Sequence, residues 1–195
     1  GTGNGGGGSS AVYFDGGLVK VQAAATAAVF MTGLDTAQVK AGGLKIDTNG
    51  KDIVINQAIT NDGGAGTFIK TGAGRLTMNG SMGLNGDATI SAGGLSGTGP
   101  INCPLKISAG ADVNPGAAGG QGTLVAGLDM TFAAGSSLTV DLGAGTELLS
   151  VFSGQLALGG ATLNVTGSPS QSVSIIAEYG TLTGTFANVP PGYSI

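Results

Sequence analysis

Residues 68–80 read FIKTGAGRLTMNG, two short apolar runs separated by a corner in which glycine alternates with other residues. Phe68 and Ile69 are predicted to end one strand, because aromatic and β-branched residues favour a pleated, half-buried surface. Gly72 and Gly74 are predicted to form the corner, because glycine adopts positive φ and leaves room where backbone segments approach closely. The stretch therefore predicts strand, corner and strand, with no helix.

The second run of the stretch alternates between apolar and polar residues. Leu76 and Met78 are predicted to point inward and Thr77 outward, since successive side chains of a strand face opposite ways. Lys70 and Arg75 flank the corner, and both are predicted to face solvent. A bulky residue at the corner should disrupt this arrangement.

The same pattern recurs along the chain, as an apolar residue, small or polar residues, a glycine and a second apolar run. The first glycines of successive units are unevenly spaced along the sequence, which is typical of a solenoid with variable loops. Including the second glycine of the opening stretch, the predicted corner glycines are Gly42, Gly72, Gly74, Gly93, Gly110, Gly135 and Gly159.

The composition agrees with a folded all-β chain. The 195 residues include 40 Gly, 41% are hydrophobic and 9% are charged, which is too apolar for a disordered chain. The glycines show no three-residue period, which excludes collagen, and their frequency disfavours long helices. Short strands joined by many turns remain.

Stacked turns explain how such short strands are stabilised. One turn of about 20 residues cannot bury its apolar positions, but turns stacked about 4.8 Å apart form continuous parallel ladders and a shared interior. We expect a parallel β-helix of about eight or nine irregular rungs, roughly 40 Å long. The alternative is a β-sandwich, which also uses short strands and frequent turns.

The domain prediction is a glycine-rich segment, residues 1–10, followed by a single β-helix domain, residues 11–195. No apolar run approaches the roughly 18 residues that a membrane-spanning helix needs, so this segment is not expected to insert into a membrane. The glycine-rich start resembles a phosphate-binding loop only superficially, because no strand precedes it and no Lys-Ser/Thr pair follows.

Charge is sparse and uneven. Residues 1–106 hold all seven basic residues and six acids, whereas residues 107–195 hold five acids and no base. The net charge of −4, without a basic cluster, argues against a nucleic-acid partner and against anionic membrane surfaces.

Two stretches resemble the autotransporter-associated β-strand repeat of bacterial passenger domains. Residues 68–80 match its K-x-G-x-G-x-L-x-L-x-G segment, and ATISAGGL (88–95) matches its T-x-I-x-x-G-x-L segment. The resemblance covers about residues 60–97 well and the flanking residues more weakly. It implies a right-handed parallel β-helix that is exported and displayed at the cell surface. The sequence shows no C-terminal translocator barrel, so the resemblance leaves the export route open.

Catalytic chemistry has few candidates here. The chain has no His, which excludes Ser-His-Asp and Cys-His nucleophile systems and histidine-ligated zinc. A carboxylate pair for glycan cleavage would have to come from Asp112, Asp129, Asp141 and Glu147, but no Arg or Lys lies beyond Lys106 to assist it. We expect no enzyme activity, with a polysaccharide-degrading enzyme as the least favoured alternative.

Cofactors and metals are not expected either. Residues 47–52 and 61–64 are rich in Asp and Asn, but neither matches a known calcium loop, and both are predicted to be plain turns. The single Cys103 cannot form an internal disulfide and is predicted to be a buried small apolar residue.

The expected function is therefore structural: a cell-surface or extracellular β-helix rod, as a passenger-type stalk or a fibre-forming subunit. No capping helix is visible at either end of the sequence, so end-to-end self-association is the expected interaction. The alternative is an adhesin that binds a glycan or a host surface through insertions such as residues 47–66 and 112–123.

Overall fold

The computed structural model describes residues 8–22, 29–116, 121–143, 147–168 and 175–194, and these residues form strands, turns and irregular segments but no helix. Most of the strands are two to five residues long, because a glycine, proline or polar turn residue interrupts each apolar run. The strands are β1 Ala11–Phe14, β2 Leu18–Lys20, β3 Val29–Met31, β4 Thr36–Val39, β5 Leu44–Asp47, β6 Ile53–Ile55, β7 Thr60–Asn61, β8 Phe68–Thr71, β9 Arg75–Met78, β10 Met82–Gly83, β11 Ala88–Ile90, β12 Gly93–Ser96, β13 Ile101–Asn102, β14 Leu105–Ile107, β15 Ala111–Val113, β16 Gly122–Ala126, β17 Met130–Phe132, β18 Ser137–Asp141, β19 Glu147–Ala157, β20 Thr162–Thr166 and β21 Ala177–Thr183.

Three strands make up each turn, and every third strand stacks on the same face. The first face begins with β1, β4 and β7, and continues through β10, β13 and β16 to the first half of β19. The second face runs from β2 through β5, β8, β11, β14 and β17 to the second half of β19. The third face is the seven-stranded sheet from β3 to β20.

The strand pairing confirms a parallel β-solenoid. Each pairing between named strands is parallel, and a single isolated bridge, between Gly97 and Gly116, is antiparallel. The β-sandwich alternative is therefore wrong, because hairpin-connected strands would pair antiparallel. The expected number of rungs is too high: the coil makes about six turns, the six steps between the seven strands of the third face. Six steps span roughly 30 Å along the axis.

The interior consists of columns of apolar side chains, one from each turn. On the third face, inward side chains with at most 3% exposure lie in register from turn to turn. This column is Ile53, Leu76, Leu95, Val113, Leu138 and Leu163. Leu76 and Met78 are both fully buried, as the alternation of the opening stretch predicts.

The turns differ in length. On the second face, a long turn separates Leu18 from its partner Lys45, and a much shorter turn separates Thr89 from its partner Lys106. The turn that ends on β21 is long again. The variation lies in the corners, because most strands stay short. This is the scatter that the glycine spacing shows in the sequence.

Candidate functional site

Lys70 lies inside the coil, which corrects the prediction that it faces solvent. It pairs with the fully buried Ile46 of the turn before it, and both occupy the same inward position on the second face. The side chain of Lys70 has 0% exposure. Strand β8 extends through Lys70 to Thr71, so the alternation that buries Phe68 buries Lys70 as well.

The ammonium group of Lys70 binds the corner that follows its own strand. Its Nζ donates to the carbonyl oxygens of Gly72 at 2.7 Å and Ala92 at 2.6 Å, and to that of Gly74. Burial, with a smaller contribution from Arg75, lowers the pKa of Lys70 to about 8. A protonated amine has three N–H donors, which matches the three acceptors. Lys70 therefore ties the corner of its own turn to the corner of the next.

Glycine is required around this ammonium group. Gly72 has a φ of +79°, which L side chains rarely adopt, and a Cβ there would overlap the Asp47 carboxylate. Gly93, in the next turn, has a φ of +69°, and a Cβ there would crowd the Lys70 amine. Gly74 has no positive φ, but a Cβ would overlap the Lys51 carbonyl. The K-x-G-x-G motif therefore consists of a buried lysine followed by the two glycines of the corner whose carbonyls it binds.

The remaining predicted corner glycines fall at two different corners. Gly110, Gly135 and Gly159 lie at the same corner as Gly72, between the second and third faces, and all have positive φ. Gly42 lies instead between the first and second faces, where its N–H donates to Asp15 at 2.9 Å. The glycine-based units in the sequence therefore mix two structural corners.

A second polar group lies on the outer side of the third face. The Arg75 guanidinium, 28% exposed, forms a 2.7 Å ion pair with Asp112, which lies two turns further along. Gly94 occupies the turn between them, and a Cβ there would overlap the guanidinium. The missing side chain thus allows Arg75 to reach across a whole turn. Arg75 is half-buried and paired, so its predicted solvent-facing position is only partly correct.

Asp112 continues this row into the next turns. Its Oδ1 accepts hydrogen bonds from Ser137 at 2.9 Å and from Thr139 at 2.6 Å. Asn164, one turn further, donates to the Thr139 hydroxyl at 3.3 Å. Every carboxylate oxygen of Asp112 has a partner, so the group stabilises the stack and is not free to react.

Glu147 is the counterpart of Lys70 at another corner. It is 3% exposed, and its Oε2 accepts hydrogen bonds from the Asp141 backbone N–H at 2.7 Å and from Asn114 at 3.1 Å. Burial is the main cause that raises the pKa of Glu147, and the nearby Asp141 charge adds to it. The buried cation holds carbonyls, and this buried carboxyl group holds N–H donors.

The four acids considered for glycan cleavage do not form one site. Asp129 lies between the first and second faces, where it accepts the Gln155 N–H at 2.8 Å, whereas Asp112 and Asp141 lie on the third face. Within the described ranges, no group of three or more His, Cys, Asp or Glu residues is placed to hold a metal ion.

The two turns considered for calcium use their oxygens within the fold. Asp47 accepts the Asn49 N–H at 2.8 Å, and Asp52 accepts the Arg75 N–H at 2.7 Å. Asn61 accepts the Gly63 N–H at 2.6 Å, and Asp62 accepts the Gly64 N–H at 3.2 Å. These contacts are those of turns and of turn-to-turn links.

The segments proposed as projecting insertions belong largely to the coil. Residues 47–66 contain β6 and β7 together with the corners around them. Residues 112–123 begin in β15 and end in β16, and the part between 117 and 120 lies outside the described residues, as do residues 1–7 of the glycine-rich segment.

Cys103 is fully buried, as predicted, and is a free thiol. Its pKa is raised to about 11, mainly by burial. The thiolate, which is the reactive form, is therefore scarce at neutral pH.

No family model, curated protein or solved structure matches this chain. The resemblance to passenger-domain repeats accordingly rests on the motif residues and on the solenoid that they form. Across the described part of the chain, no helix is long and apolar enough to span a membrane.

Proposed function

We propose that the chain is a structural segment of an extracellular or cell-surface rod, without catalytic activity. Several of its charged residues support this proposal, because they bind the backbone of neighbouring turns. The carboxylates of Asp15, Asp52 and Asp129 each accept an N–H from the following turn, at 2.9, 2.7 and 2.8 Å. In an enzyme, by contrast, some of these groups would be kept free for a substrate.

The single observation that carries the proposal is the carbonyl cage around Lys70, formed by the carbonyl oxygens of Gly72, Gly74 and Ala92. A buried charge is expensive, and here it is used to fix two adjacent corners of the coil. Such a contact fixes the shape of the coil and keeps its turns in order. The turn-to-turn ion pairs Lys20–Asp47, at 3.6 Å, and Lys106–Asp87 add to the same stack.

Export and surface display are supported by the resemblance of residues 68–80 and 88–95 to passenger-domain repeats. The motif lysine and glycines of that resemblance are the residues that build the cage. The low content of charged residues and the glycine-rich composition also suit a structural rod, because such a surface does not attract nucleic acid or anionic lipid.

The experiment combines protease resistance with localisation. We expect the folded chain to resist a broad-specificity protease for hours, with cuts confined to the corners, and we expect antibodies against it to label intact cells that produce it. Rapid cleavage within β6–β15 would contradict the rigid segment, and labelling only after cell lysis would contradict surface display.

A further inference from the structure

The last turn leaves inward-facing apolar residues exposed. Tyr179 pairs with the fully buried Val151, and Leu182 pairs with Leu156, which is 1% exposed, so both occupy interior positions. Yet Tyr179 is 46% and Leu182 is 39% exposed. Among the described residues, no strand pairs with the outer edge of β21. In the described part of the chain, the interior columns are therefore uncovered at this end.

A cavity extends the exposed interior into the last turn. It has a volume of about 210 Å³ and is lined mainly by apolar side chains, among them Leu158, Leu182, Phe186 and Val189. Its size would accommodate one or two aliphatic or aromatic side chains. The inward side chains of another turn stacked on this one would fill the cavity.

The first turn presents matching side chains. Val12, Phe14 and Val19 face inward and are only half-buried, since their partners Ala37, Val39 and Ile46 lie on one side only. Within the described ranges, β1 and β2 each have one unpaired edge. Among the described residues, the first turn is thus an interior layer with a neighbour on one side only.

The two end turns also agree in size. The turn from Leu18 to its partner Lys45 and the turn from Leu156 to its partner Leu182 are nearly equal in length, and only the turns that flank β11 are much shorter. All strands of one face run in the same direction, so the first turn of another copy placed on β21 would continue the ladders in parallel. Head-to-tail contact therefore matches strand direction and turn length.

Charge disfavours tail-to-tail contact. The last two described turns carry acids and no base, with Glu178 exposed on β21, whereas the first turn carries both Asp15 and Lys20, and Lys20 pairs with Asp47 at 3.6 Å. Tail-to-tail contact would bring two acidic ends together.

We propose that the last turn of one copy binds the first turn of a second copy, head to tail, through Leu182 and Tyr179 on one side and Val12, Phe14 and Val19 on the other. This inference rests on the proposed rod function, because one chain spans only roughly 30 Å and a longer rod needs additional turns. Such a heterologous contact does not close on itself and extends into a filament.

The test is sedimentation velocity of the full chain over a range of concentrations, with two variants. Leu182→Glu places a negative charge at an inward position of the last turn, and Val19→Lys places a positive charge at an inward position of the first turn. Each variant alone should require at least a tenfold higher concentration to associate. An equimolar mixture should associate again, because the intact first turn of one variant meets the intact last turn of the other.

Controls distinguish the loss of this contact from the effects of added charge and of misfolding. Thr181→Glu adds the same charge one residue away on the outward side of β21, and it should associate like the unmodified chain. Circular dichroism and melting should show that all variants fold. If Val19→Lys alone associates normally, the head-to-tail orientation is wrong. A protease-resistant chain that stays monomeric up to millimolar concentration would overturn self-association, leave the proposed rod segment intact, and assign the β21 edge to another occupant, such as a further turn of a longer polypeptide.

Discussion

Replacing Lys70 with Met should destabilise the coil strongly, although methionine is apolar and similar in length. The substitution removes the donor group of the cage and leaves the carbonyls of Gly72, Gly74 and Ala92 facing an apolar side chain. The Gly74 carbonyl keeps the Thr48 hydroxyl as a donor at 3.4 Å, so the loss is that of three hydrogen bonds to a charged group. Each contributes about 1.5–3 kcal/mol, and together they contribute about 6 kcal/mol.

Part of this loss is offset because the variant no longer buries a charge. The pKa of Lys70 is lowered from 10.5 to about 8, which corresponds to a cost of about 3 kcal/mol for holding the ammonium group in the coil. The net loss should therefore be about 3 kcal/mol. For a chain of this length, that lowers Tm by roughly 6–12 °C.

The assay is urea unfolding at pH 7 followed by circular dichroism, with Lys45→Met as the matched control. Lys45 lies on the neighbouring strand β5, outward and exposed, so its replacement should change the free energy of unfolding by less than about 0.5 kcal/mol. Lys70→Gln, which keeps two N–H donors, should fall between Lys70→Met and the unmodified chain. Equal stability of the Lys70→Met and Lys45→Met variants would refute the role of the cage.

Three further outcomes are expected. Gly72→Val should prevent folding or lower Tm by more than about 10 °C, since its φ of +79° and the nearby Asp47 oxygen leave no place for a branched side chain; a soluble variant with unchanged melting would contradict this corner. Cys103 should react with a thiol reagent at pH 8 only as fast as the chain unfolds, because burial raises its pKa to about 11, and denaturant should accelerate labelling by orders of magnitude. The raised pKa of Glu147 means that the folded chain holds a proton that the unfolded chain releases above pH 4.5, so the contribution of Glu147 to stability should fall as pH rises through that raised pKa. Tm measured from pH 4 to 8 should show a flatter slope for Glu147→Gln, and an identical slope would contradict the assignment.

The sequence is sufficient to predict the type of coil and the alternation of its strands. Leu76 and Met78 are buried as their spacing predicts, because a period of two is a local property that needs no knowledge of neighbouring turns. The number of turns is overestimated because their lengths vary widely, from the long turn between Leu18 and Lys45 to the short one between Thr89 and Lys106. An average rung length therefore does not determine the number of turns.

The position of Lys70 is harder to predict because two rules conflict there. Alternation from Phe68 places Lys70 inward, whereas its charge favours solvent, and the prediction gave the charge more weight. The deciding factor is the set of three carbonyls, and one of them, that of Ala92, belongs to a corner 22 residues away. The Arg75–Asp112 pair was missed for the same reason, since it depends on a glycine in the turn between its partners.

The lysine cage also bears on how the coil finds a single arrangement. Columns of Ile, Leu and Val are nearly interchangeable, so a turn that stacked one level too early or too late would still bury apolar side chains. Lys70 removes that ambiguity, because its ammonium group finds the Ala92 carbonyl at only one level of the stack. A stack slipped by one turn would place Lys70 beside Ile107 and separate the ammonium group from the Ala92 carbonyl. One buried charge thus distinguishes the native order of turns from its near neighbours, a contribution to uniqueness that is separate from its contribution to stability.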